Sequence, residues 1–175
     1  MDREENTGSK VLVLTYCTKR KKKEGGPARR VYAGPTRNLF VLAEKLNAKC
    51  YILSAKHGLI SCDDEIEPYE LYLDDLGKAD LEKLKEEVEK SCSKLKGPWK
   101  LAVVNLSAKY AKLLESCTVY AEYAIVLGKF YNVRARRTLH IIPKTIGERS
   151  SLLKLLGGME SLEDVLRFVE ERTGH

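Results

Sequence analysis

Short apolar runs alternate along the chain with longer stretches whose apolar residues recur every three or four positions. The run KVLVLTYC, residues 10–17, is β-branched and aliphatic, has strand length and ends in a polar, glycine-containing loop, so it predicts a first strand. After GGPARRVYAGP, Thr36 stands where a helix cap belongs, before a helix to about Asn47 with Leu39, Phe40, Ala43 and Leu46 on one face. KCYILSA, residues 49–55, predicts a second strand. From Lys78 to Leu95 the residues Leu81, Leu84, Val88, Cys92 and Leu95 keep helical spacing among Glu and Lys, which predicts an amphipathic surface helix that Gly97 and Pro98 stop. WKLAVVNL, residues 99–106, predicts a third strand, and Ser107 caps a helix carrying Tyr110, Ala111, Leu113 and Leu114.

Both gaps between these strands exceed the dozen residues that a parallel return requires. The expected fold class is therefore α/β: a mostly parallel or mixed sheet with helices packed on it, three-layer-like, in a single domain spanning 1–175. Residues 1–9 are expected to be flexible and 18–30 to form a mobile basic loop. Between Thr118 and Pro143 the pattern blurs, and VYAEYAIVLGKFYNV and RRTLHIIP read as strands around a hairpin, with a helix and a strand as the alternative. Thr145 with Glu148, and Ser161 with Asp164, have capping-box spacing before leucine-rich runs, and Gly157-Gly158 separates the two helices.

At 175 residues and 43% hydrophobic composition the chain can bury a core without staples. It has no apolar run of membrane-spanning length, and MDREENTGSK is too polar for a signal peptide, so a cytoplasmic protein without membrane contact is expected. The five cysteines form no C-x-x-C pair and have no zinc-like spacing with the three histidines, so neither metal nor cofactor is expected. They read as small buried hydrophobes, with Cys92–Cys117 or Cys50–Cys62 bridges open to a hyperthermophile. The net charge of +6 leans mildly toward an anionic partner. Locally, KRKKK at 19–23, Arg29 and Arg30, and RARR at 134–137 are solvated loops on the ordinary reading, or a phosphate track if they share one face. On that second reading Lys21, Lys22, Arg29, Arg30, Arg134, Arg136 and Arg137 bind nucleic acid.

In open α/β sheets ligands sit beyond the carboxyl ends of the strands. The residues leaving the three strands are Tyr16-Cys17-Thr18-Lys19, Ser54-Ala55-Lys56-His57 and Asn105-Leu106-Ser107-Ala108-Lys109. Ser107 reads first as a helix cap. Ser54 is followed at once by Gly58 and Leu59-Ile60, and so reads less easily as one. Lys56 is either an exposed loop lysine, a phosphate ligand or a Schiff-base nucleophile. His57 is a base, a phosphate donor or a hydrogen-bonded structural histidine. In Glu67-Pro68-Tyr69-Glu70 the proline restricts its neighbours, so an acid and a phenol are held in a defined relation near Lys56, suited to acid–base work or to ribose recognition. An ordinary turn with a charged rim is the competing reading. P-loop, G-x-G-x-x-G, G-x-S-x-G and H-E-x-x-H motifs are missing, which removes most of the case for common nucleotide hydrolases, dehydrogenases and serine hydrolases.

Cys17 and Lys19, PARRVYAGP, YILSAKHGLI, IEPYE and VVNLSAKYAKLL together resemble a prokaryotic domain family with the pattern C-x-x-K, P-A-x-x-L-Y-x-G, I-L-S-A-K-x-G-L and I-x-P-Y-D, related to the YaaA-like peroxide-stress proteins. The likeness spans about residues 11–115. Cys17 and Lys19 stand one residue closer than that pattern has them, and Glu70 replaces its aspartate. The resemblance implies a role in nucleic-acid damage or modification, with a site like those of enzymes acting at the base-to-sugar bond. Carried over residue by residue, it puts Cys17, Lys19, Tyr32, Ser54, Lys56, Gly58, Glu67 and Tyr69 around the pocket.

The expectation is a glycosylase, lyase or base-exchange enzyme acting on a nucleoside, DNA or RNA. Glu67 or Glu70 would face the developing oxocarbenium, Tyr69 or His57 would protonate the departing base, and Lys56 would hold phosphate or form an imine. Glu70, Asn105 and Ser107 join the substrate-binding set. A noncatalytic nucleic-acid-binding stress protein is the alternative.

Overall fold

The computed structural model describes residues 10–17 and 23–174. Six strands form the main sheet: β1 (Val11–Tyr16), β3 (Lys49–Ser54), β4 (Gly58–Ser61), β6 (Trp99–Asn105), β7 (Val119–Leu127) and β8 (Val133–Ile141), in the order β4-β3-β1-β6-β7-β8. All neighbours run parallel except β4, which turns back antiparallel on β3 at one edge. The apolar runs become the central strands because burial on both faces of a parallel sheet leaves no solvent side for polar residues. Leu12, Leu14, Ile52, Leu53 and Leu101 are fully buried.

The chain passes from β1 to β3 on one side and then to β6 on the other, so right-handed crossovers put the intervening helices on opposite faces. The first crossover carries α2 (Arg37–Leu46) and the second α3 (Lys78–Glu89), with α1 (Ala28–Val31) ahead of both. Past β6 come α4 (Ala108–Ala111) and a 3-10 turn, Lys112–Leu114, against which α3 packs. After β8, α5 (Ile146–Gly157) packs on α2, and α6 (Leu162–Thr173) covers β7 and β8. The result is a mixed α/β domain with helices on both faces of the sheet. Among the described residues no helix is long and apolar enough to cross a membrane.

Several expectations change. The two strands between 118 and 143 are not a hairpin: β8 pairs with β7 in parallel, from Val119↔Val133 to Leu127↔Ile141. The connection, 128–132, is far shorter than an ordinary parallel crossover. Secondary structure begins inside the expected loop of 18–30. Gly26–Pro27 (β2) pair antiparallel with Glu65–Ile66 (β5), and α1 follows with Ala28 and Val31 buried. Residues 18–22 and 1–9 lie outside the described residues. The helix expected to reach Leu95 ends at Glu89, followed by a 3-10 turn at Cys92–Lys94.

Thr145 and Ser161 cap as expected, accepting from the Glu148 and Asp164 amides at 3.0 and 3.2 Å. Thr36 does not cap α2; its hydroxyl is engaged elsewhere. Both candidate disulfides form. Cys50–Cys62 joins β3 to the residue after β4, and Cys92–Cys117 joins the turn after α3 to the approach to β7. Cys17 stays free and buried.

Candidate functional site

The reversal of strand order at β1 opens a crevice between the carboxyl ends of β1 and β6, as expected at such a switch point. It is a cleft of about 550 Å3. Tyr16 and Cys17 leave β1 into it, Asn105 and Ser107 leave β6, and Tyr110 rises from α4. Tyr72, Leu73 and Asp74 form one wall, while Ile146, Arg149, Ser150 and Leu153 of α5 form another. The rings of Tyr16 and Tyr110 pack with centroids 5.2 Å apart.

A chain of polar side chains runs beneath this wall. Thr15 is the lone polar residue among the buried positions of β1, and buried polar atoms need partners. Its hydroxyl meets that of Thr36 at 2.9 Å and accepts from Asn105 Nδ2 at 3.0 Å. That demand explains why Thr36 faces the sheet instead of capping its helix. The Asn105 carbonyl oxygen in turn accepts from Arg149 Nη1, which also donates to the Leu127 carbonyl at 3.3 Å. The guanidinium carbon lies 5.9 Å from the centre of the Tyr16 ring. Among the described residues Arg149 forms no ion pair with a carboxylate.

Behind Cys17 sits a second, phenolic cluster. Cys17 Sγ and the Tyr110 hydroxyl are 2.8 Å apart. The Tyr69 hydroxyl lies 2.6 Å from that of Tyr32 and 2.7 Å from Ser54 Oγ. Ser54 is fully buried and accepts from the backbone amides of Lys56 and His57 at 3.1 and 3.0 Å, fixing the turn that Gly58 closes at φ +73°. Burial pushes the Tyr32 phenol up to about 12. Burial, and then the proximity of Cys17, raises Tyr69 and Tyr110 as well. All three are neutral hydrogen-bonding groups at physiological pH. Partial burial, then the neighbouring Lys56 charge, lowers the pKa of His57.

Of the residues singled out from sequence, Cys17, Asn105 and Ser107 line the cleft. Tyr32, Ser54, Gly58 and Tyr69 are buried in or beside the phenolic cluster. Lys56 and His57 are exposed and outside the cleft lining, one with its ammonium 5.5 Å from the centre of the Tyr69 ring and the other edge-on to it at 5.2 Å. Glu67 and Glu70 are also exposed and outside it, and the Glu67 carboxylate lies against Gly25. The carboxylate that does line the cleft is Asp74, ion-paired with Lys109.

Lys19, Lys21 and Lys22 lie outside the described residues. Arg29 is held by Asp63 at 2.9 Å and Glu44 at 3.4 Å, whereas Arg30 is exposed. Alternation along β8 divides RARR between its two faces. Arg134 and Arg136 share one, with Arg136 3.6 Å from Glu122, and Arg137 lies on the other beside Gly174. Because α1 abuts the segment after β4 and RARR lies on β8, Arg29 and Arg30 sit at the opposite edge of the sheet from RARR, about 24 Å away at ~4.8 Å per strand spacing. Among the described residues, these arginines do not share one track. Among the described residues no group of three or more His, Cys, Asp or Glu is arranged to hold a metal ion.

Sequence reasoning passed over Thr15, Tyr72, Asp74 and Arg149, and took Thr36 for a cap. Thr15 carried a signal, a hydroxyl inside an apolar run. Arg149 carried none, because its place depends on how α5 docks.

A largely parallel sheet with helices on both faces and a cleft at its switch point defines an α/β domain of the open-sheet class. Residues 12–128 match the Family of unknown function (DUF6884), and the chain belongs to that family. The match closes at the end of β7, so Arg149 and the α5 wall of the cleft lie beyond it. No curated protein and no solved structure matches the chain.

Proposed function

We propose that the protein is an enzyme acting at the base or N-glycosidic bond of a nucleoside or nucleic-acid substrate, in nucleic-acid repair or modification, and that it is kin to the YaaA-like stress proteins and cytoplasmic. The observation that carries this reading is the combination in one cleft of an aromatic wall, a carboxylate and a guanidinium that has no carboxylate partner among the described residues. The volume, about 550 Å3, is within the range of small-molecule sites and suits one nucleoside unit. Tyr16, Tyr110 and Leu73 offer apolar surface to a base. Asp74, exposed and paired with Lys109 but part of the cleft lining, supplies the negative charge that a developing oxocarbenium requires, in place of Glu67 and Glu70, which lie outside the lining. Ser107 offers a hydrogen bond to a sugar, whereas Asn105 is buried and engaged by Thr15 and Arg149. Lys56, outside the lining, is not needed for an imine on this account.

The separation of Arg30 from Arg134 and Arg136 favours a free nucleoside, a nucleotide or a single-stranded end over a long duplex. The test is incubation with nucleosides, nucleotides, tRNA, and damaged or modified single- and double-stranded DNA, with released base measured by chromatography. Base release that is lost in Asp74→Asn is expected. Binding without turnover across the whole panel sinks the enzymatic reading and leaves a nucleic-acid-binding protein.

A further inference from the structure

Resting on that reading of the cleft, we infer that Arg149 is a phosphate-recognising residue and that the substrate carries a phosphate group. Arg29, Lys85 and Lys100 are partly buried cations, and each pairs with a carboxylate: Asp63 at 2.9 Å, Glu115 at 2.7 Å and Glu122 at 2.9 Å. Arg137 is partly buried without an ion pair among the described residues, but it lies on β8 outside the cleft lining. Arg149 is also partly buried, but its hydrogen-bond partners are neutral, an amide oxygen and a backbone carbonyl. A cation withdrawn from water without a counter-charge is costly unless an anion completes it.

Geometry points the same way. Asn105 and the Leu127 carbonyl engage only Nη1, so Nε and Nη2 form no hydrogen bond among the described residues. Two neighbouring donors in a fixed fork match two phosphate oxygens. The fork is held still from below, since Asn105 is itself tied to Thr15 and Thr15 to Thr36, all three buried. Gly128, at φ +113°, lets the Leu106 carbonyl pack against it, where a Cβ would meet the carbonyl oxygen at 1.9 Å, and Arg149 Nη2 lies beside this junction. Ser107 and Ser150 line the same cleft. Ser107 accepts from the Tyr110 amide, so its own proton can be donated to an anion. The phosphate is either that of a mononucleotide or one in a nucleic-acid backbone, and the chemistry of recognition is common to both.

Calorimetry separates the possibilities, using adenosine and cytidine, their 5′-monophosphates, and a trinucleotide with and without a 5′-phosphate, alongside thermal unfolding in inorganic phosphate. For the wild-type protein, the monophosphates are expected to bind at least about tenfold more tightly than the matching nucleosides. That preference should vanish in Arg149→Gln, which is expected to bind each monophosphate no more tightly than its nucleoside, and return only in part in Arg149→Lys. Preference for the trinucleotides alone assigns the phosphate to a backbone and supports the inference equally. Equal affinity of the wild-type protein for nucleosides and nucleotides overturns it while leaving the proposed enzyme standing. Inorganic phosphate that protects wild type and not Arg149→Gln, with no nucleoside or nucleotide bound, keeps the anion site and sinks the nucleoside reading. A wild-type protein indifferent to phosphate, nucleotides and oligonucleotides ends the inference even if Arg149→Gln fails to fold.

Discussion

Removing the disulfides one at a time gives a prediction with a magnitude attached. Cys92 and Cys117 are 25 residues apart in sequence, and Cys50 and Cys62 are 12 apart. A crosslink that restricts the unfolded chain stabilises in proportion to the logarithm of the loop it closes. That relation gives about 3.5 kcal/mol for the longer loop and about 2.8 kcal/mol for the shorter. Alanine pairs are the right perturbation, because Cys62 and Cys117 are buried and serine would add the cost of a buried hydroxyl. Cys92→Ala/Cys117→Ala should lower the unfolding temperature by about 7–14 °C at ~2–4 °C per kcal/mol for a chain of this size. Cys50→Ala/Cys62→Ala should lower it slightly less. Guanidinium unfolding of both variants and wild type, with and without reductant, supplies the free energies. A loss below ~1 kcal/mol in both variants, or no response of wild type to reductant, refutes the reasoning that these crosslinks stabilise the domain through the loops they close.

Three further outcomes follow from the site. Burial raises the Tyr32 phenol from its ordinary 10.0 to about 12, so its contribution is complete below pH 10 and is lost as pH rises through 12; denaturation midpoints measured from pH 8 to 12 should fall over that window, and a flat profile contradicts it. Tyr69→Phe deletes the hydroxyl bonded to both Tyr32 and Ser54 and should cost about 2 kcal/mol by denaturant unfolding, at ~1 kcal/mol per hydrogen bond; a change under ~0.5 kcal/mol speaks against a structural role for the cluster. Lys56→Ala, exposed and outside the cleft lining, should leave turnover on a confirmed substrate within about twofold and stability within ~0.5 kcal/mol. Loss of turnover, or loss of a borohydride-trapped adduct, in that variant restores Lys56 to the chemistry.

The central strands were readable because VLVLTY, KCYILS and WKLAVVN are apolar runs of a length only a strand can use, and the gaps between them demand parallel crossovers. Strand direction was less accessible. VYAEYAIVL and VRARRTLHI lie close in sequence, which suggests a hairpin, yet side-chain alternation is the same whether neighbours run parallel or antiparallel. Thr36 was misread because the cap signal is local, while a buried hydroxyl on β1 competes for the same side chain. Convergence of the loops after β1 and β6 followed from topology alone, and it put Cys17, Asn105 and Ser107 in the cleft. Convergence did not extend to Lys56, since the turn that Ser54 organises sends its side chain outward over Tyr69. Nor does spacing along the chain reveal that a helix beginning at Ile146 will lay Arg149 against Asn105.

A crystal structure of the protein with a nucleoside 5′-monophosphate would show what the cleft between β1 and β6 holds. The base is expected against Tyr16 and Tyr110, the sugar near Asp74, and phosphate oxygens within hydrogen-bonding distance of Arg149. A nucleotide seated instead beside Lys56 and His57, with the cleft between β1 and β6 holding only solvent, would contradict this placement.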